Sequence, residues 1–176
     1  MLTPQAPPPR NPGGSLSTTR VQGAAPGLLV PVGGGYADVY PGIVAAMLER
    51  AQNGHVKITV LPTPYAGNAE RITPAELELN MRDAERRRLE IEEACQRAAP
   101  APITCRAEIA PIFVRADAEN KENLPYFGAG VTAVFILGGD QGVAMQTLID
   151  TPVEQALATP PQSLDDFQRS ARWHRA

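Results

Sequence analysis

The chain has 176 residues and a net charge of −3, which suits one domain with a core of useful size and gives no reason to expect nucleic acid or an anionic membrane as partner. Apolar residues make up 43% and charged residues 20%, an ordinary globular composition once the proline-rich start is set aside. No apolar run approaches the ~20 residues that span a bilayer, and residues 1–26 lack the apolar stretch of a secretory signal, so the expectation is a soluble chain that is not exported.

Residues 1–26 carry Pro4, Pro7, Pro8, Pro9, Pro12 and Pro26 without any apolar period, and read as a disordered leader. The first strand is expected at Gly27–Val32, leaving through Gly33, Gly34 and Gly35 toward a helical pattern from about Pro41. Gly33-x-Gly35 begins a dinucleotide fingerprint, but Asp38 stands where the third glycine belongs, and no Gly-Lys-Ser/Thr occurs, so no nucleotide cofactor is expected. Ile43, Val44, Met47 and Leu48 form a helical stripe that stops near Asn53 and Gly54. A second strand, Val56–Leu61, meets Pro62, Thr63 and Pro64, which turn the chain out of the sheet.

Thr73, Pro74, Ala75 and Glu76 form a capping box with proline at the first helical position. Leu77, Met81, Ala84, Ile91, Cys95 and Ala98 repeat on one face of the helix that follows, interrupted only by Arg88. Glu78 with Arg82, Asp83 with Arg87 and Glu93 with Arg97 have the spacing of helical ion pairs, and the run Arg86–Arg88 reads as part of a solvated face. Cys95 falls near the end of this helix and Cys105 in the next strand, so the two residues form either a disulfide across a short connection or two buried thiols. A disulfide would hint at an extracytoplasmic parent protein.

A third strand is expected at about Ile103–Phe113, followed by a polar connection to Tyr126 and Phe127. A fourth, Ala133–Leu137, runs into Gly138 and Gly139, with Asp140 placed to cap a helix that begins near Gln141 and continues through Met145 and Leu148; Thr151 and Pro152 open one more. The alternation of strand and helix implies an α/β domain over residues 27–157, three-layered, with a mostly parallel sheet and right-handed crossovers. Residues 158–176 lose the strand period and read as an atypical tail.

The Gly33–Gly35 turn, the Leu61–Thr63 exit and especially the run Phe135–Gln141, which ends Gly-Gly-Asp-Gln, together resemble the cyanophycinase family. That family comprises serine exopeptidases for aspartate-linked peptides on a class I glutamine-amidotransferase-like fold. The resemblance covers roughly residues 27–157 and implies that Gly34, Gly35, Gly138 and Gly139 help to form an oxyanion environment, with Gln141 facing the substrate and Asp140 shaping the turn. It also implies a Gly-Thr-Ser-Ala-Gly-type nucleophile elbow, a histidine and an acid beyond the fourth strand, and the sequence up to Ala176 contains no such elbow. Ser15, Ser17, Ser163 and Ser170 lie in the leader or the tail, and His55 and His174 are poorly placed as bases.

The expectation is therefore the N-terminal half of such a domain, apparently truncated, with no catalytic residue and no hydrolysis of its own. The alternative is a non-catalytic module binding a peptide or small molecule in the same cleft, the glycines serving only as tight turns. No metal site is expected, because no His, Cys and acid cluster has ligand spacing. A homo-oligomer is left open.

Overall fold

The computed structural model describes residues 36–158. The expected leader, the Gly27–Val32 strand with its glycine turn, and the tail beyond Ala158 lie outside the described residues. Helix α1 (Tyr36–Leu48) leads into strand β1 (His55–Leu61), helix α2 (Pro74–Ala98) and strand β2 (Thr104–Ile109). Then come the short helix α3 (Arg115–Glu119), a 3-10 stretch (Lys121–Phe127), strand β3 (Ala133–Ile136) and helices α4 (Gln141–Leu148) and α5 (Pro152–Ala158). The protein is α/β: the three strands form one sheet in the order β2-β1-β3, and both pairings are parallel.

Alternation along β1 explains the layers. Val56, Ile58 and Val60 point to one face, where they join Tyr40, Ile43, Val44 and Met47 of α1, Ala84, Ile91 and Cys95 of α2, and Phe135. Leu61 points to the other face, into a second cluster with Ile112, Ala118, Phe127 and Val153. From Val56 to Leu61 only Lys57 is not fully buried, which marks β1 as the central strand.

The capping box is present in full: Thr73 accepts from Glu76 N–H, and the Glu76 carboxylate accepts from Thr73 N–H at 3.0 Å. Only Ala84, Ile91 and Cys95 of the expected α2 stripe are buried, and Leu77 stays 38% exposed. Two ion pairs form as spaced, Glu78–Arg82 at 2.9 Å and Glu93–Arg97 at 3.5 Å. Asp83 pairs with Arg86 rather than Arg87, because Arg87 turns to Glu90 at 2.7 Å. Glu90 also accepts from the Tyr40 hydroxyl at 2.9 Å, so this group ties α1 to α2. The third strand is shorter than expected, ending at Ile109; Ala110 N–H still donates to Val60 C=O at 2.9 Å, then Pro111–Phe113 leaves the sheet, and Ile112 C=O accepts from the buried Thr63 hydroxyl at 2.8 Å. Cys95 and Cys105 are joined by a disulfide, with Cα atoms 5.9 Å apart.

Three carboxylates of α2 titrate below their ordinary value of 4.5. Glu76 is held down by the Thr73 amide, and Glu85 by the Arg88 guanidinium. Burial acts to raise Glu90, but hydrogen bonds from Arg87 and Tyr40 outweigh it. A lowered folded pKa stabilises the protein above the unfolded value and loses that contribution as pH falls through the folded value. Thermal midpoints followed by circular dichroism should therefore drop once pH passes below 4.5. The triple variant Glu76→Gln, Glu85→Gln, Glu90→Gln should flatten that slope; an unchanged slope would show that other carboxylates carry it.

Candidate functional site

In the order β2-β1-β3, the crossover from β1 runs to one side and the next returns on the other, so the topological switch point lies at the carboxyl ends of β1 and β3. Two turns meet there. The exit of β1 is Pro62–Ala66, a buried 3-10 turn in which Tyr65 N–H donates to Pro62 C=O at 2.8 Å. Prolines supply its sharp departure from the strand. The Thr63 hydroxyl bond to Ile112 fixes it from beneath, and Asn80 of α2 donates to Tyr65 C=O at 3.0 Å.

The exit of β3 is Leu137, Gly138, Gly139 and Asp140. Gly139 has φ +146°, and a Cβ built on it would lie 2.1 Å from Pro64 O, so only glycine lets the two exits touch. Asp140 N–H then donates to the same Pro64 carbonyl at 2.9 Å. The Asp140 carboxylate turns the other way and caps α4, accepting from Gly142 and Val143 N–H at 2.8 and 3.1 Å. The free amides at this helix start are thus occupied by the chain's own carboxylate, which leaves less positive potential for an incoming anion.

Gly139, Asp140 and Gln141 are exposed at the rim and Gly138 is half-buried. The structure therefore brings Gly138, Gly139, Asp140 and Gln141 together with Pro64, which the sequence marks as a turn residue but not as a neighbour of this one. Gly34 and Gly35 lie outside the described residues, as do Ser15, Ser17, Ser163, Ser170 and His174. His55 begins β1 at the opposite edge of the sheet, where its Nδ1 is 2.7 Å from the Thr104 hydroxyl. Among the described residues there is no serine.

A hollow of about 520 Å³ also opens between α1 and α2, lined by Tyr40, Val44, Arg87, Glu90 and Arg97 among others. Its charges are largely paired with one another, Arg87 with Glu90 and Arg97 with Glu93. Burial, then the hydrogen bond to Glu90, pushes the Tyr40 hydroxyl far above its ordinary range, so it stays protonated and serves as a donor. The hollow belongs to the helix layer rather than to the strand ends. Among the described residues, no group of three or more His, Cys, Asp or Glu could hold a metal ion, and no helix is long and apolar enough to cross a membrane.

No family model, curated protein or solved structure matches the chain.

Proposed function

We propose that residues 27–157 are the N-terminal half of a cyanophycinase-like serine exopeptidase domain for aspartate-linked peptides, and that this chain binds such peptides without hydrolysing them. One observation supports the reading best. The Gly-Gly-Asp-Gln turn sits at the switch point, held against Pro64 by the Asp140 amide, with Gln141 exposed beside it. Hydrolysis would need a hydroxyl, a base and an orienting acid converging on that turn, and the sequence offers no Gly-x-Ser-x-Gly elbow to supply the first.

The test uses the 176-residue chain with a β-aspartyl-arginine dipeptide and with cyanophycin. Expected is saturable dipeptide binding that shifts the amide resonances of Gly138, Gly139 and Gln141, without release of free amino acids. Binding confined to other residues, or none, would refute the assignment of the crevice. Hydrolysis abolished by a serine-directed inhibitor would refute the inactivity.

A second reading, a non-catalytic module for another small ligand, is favoured by the capping of α4 by Asp140, which stabilises the turn without any ligand. Equal affinity for the dipeptide and for unrelated dipeptides would favour this module.

A further inference from the structure

Beside its buried stripe α2 has two flanks, and they make different contacts. On the first, three side chains one helical turn apart reach the outer edge of β2. Thr104 and Ala110 donate inward to Gly54 and Val60, at 3.0 and 2.9 Å, so by alternation the backbone groups of Cys105 and Ala107 point outward from β2. Gln96 Oε1 accepts from Cys105 N–H at 3.1 Å and Glu92 Oε2 from Ala107 N–H at 2.6 Å, while Arg88 donates to Ala107 C=O at 3.2 Å. These side chains guard the edge of β2 against another strand.

The second flank faces α1 across the hollow of about 520 Å³, a volume within the range of small-molecule sites. From Arg87 to Arg97 the hollow follows α2 for about 15 Å. Pro41, Val44, Ala94 and Ala98 make its apolar floor. Two ion pairs border that floor, and they are held very differently. Arg87 and Glu90 lie 2.7 Å apart with side chains only 21% and 35% exposed, and the Tyr40 hydroxyl donates to the same carboxylate at 2.9 Å. Glu93 and Arg97 lie 3.5 Å apart with side chains 67% and 72% exposed. An exposed pair of this kind is worth little, so it opens at small cost, while the pair tied to Tyr40 stays as the far wall.

We propose that this hollow binds a free α-amino acid with an aliphatic side chain, its carboxylate on Arg97, its ammonium on Glu93 and its side chain on the apolar floor. Charge selects the class. A lone anion at Arg97 is repelled by Glu93, and a lone cation at Glu93 is repelled by Arg97. A zwitterion satisfies both, because its two charges sit about as close together as those of the pair it replaces. The floor residues select the side chain: they offer no hydrogen-bonding group, so an aliphatic chain gains by leaving water and a polar one loses its partners. The head group stays near solvent, which sets the affinity in the millimolar range. The site lies in the helix layer, apart from the strand-end crevice, and does not depend on the function proposed for that crevice.

Titration of the 176-residue chain with leucine, followed by amide resonances, tests this. Leucine should shift Val44, Ala94 and Ala98 saturably. Isocaproate, which lacks the ammonium, leucinamide, which lacks the carboxylate, and glycine, which lacks the side chain, should each bind about threefold or more weakly. Arg97→Gln and Glu93→Gln, both at exposed side chains that leave the core untouched, should weaken leucine to a similar degree. Shifts at these residues that never saturate would overturn the proposal. So would isocaproate binding as well as leucine, indifference to both substitutions, or leucine shifts confined to Gly138, Gly139 and Gln141, which would assign the amino acid to the crevice.

Discussion

Gly139→Ala should lower the stability of the protein by about 3–5 kcal/mol, the combined scale of a backbone forced at positive φ and an overpacked contact. The new Cβ meets backbone, not a side chain that can swing aside: Pro64 O at 2.1 Å and Pro64 C at 2.7 Å. Pro64 cannot easily retreat, because its turn is buried, Thr63 is bonded beneath it, and its carbonyl holds the Asp140 amide. Moving the β3 exit instead would break that Asp140 bond and disturb the cap of α4. Gly130→Ala is the matched control, since Gly130 has φ +88° with nothing within 4 Å of an added Cβ. It should cost about 1 kcal/mol, the conformational part alone. Urea midpoints of the two variants measure the difference, and a Gly139→Ala cost no larger than that of Gly130→Ala would show that the two exits are not in contact.

Removal of the disulfide should have the next largest effect. Cys95 and Cys105 are ten residues apart, so loop entropy gives about 2.5–3 kcal/mol for the link. Both sulfurs are in the core, with Cys95 wholly buried and Cys105 9% exposed, so the double variant Cys95→Ala, Cys105→Ala also loses some packing. The loss should be uneven across the molecule. The link lies in line with Gln96, Glu92 and Arg88, which bond the outer edge of β2. Exchange at Cys105 or its replacement, and at Ala107, should therefore accelerate more than exchange at Val60. A reductant that left the urea midpoint of the parent protein unchanged would sink this prediction.

Much of the architecture could be read from local pattern. The capping box of α2, the Asp140 cap and the parallel alternation depend on residues near one another in the chain, and each is present. What the pattern did not convey depends on neighbours distant in sequence. Arg88 reads as a break in an apolar stripe, yet it reaches the edge of β2, as do Glu92 and Gln96. The spacing of Asp83 and Arg87 suits an ion pair, but Tyr40 and Glu90 draw Arg87 elsewhere. The Gly138 and Gly139 pair announces a turn, and nothing local says that Pro64 presses against it. The connection after β2 reads as loop because α3 and the 3-10 stretch are too short to show a period.

The guard on β2 also bears on how the chain is made. α2 precedes β2, and only a handful of residues separate them, so during synthesis the helix leaves the ribosome before the strand it will cover. Its capping box and ion pairs favour early helix formation without help from the sheet. The bonds from Gln96, Glu92 and Arg88 span few residues and close quickly. A nascent β2 thus meets its seal as it emerges, before a strand from a neighbouring chain can reach it.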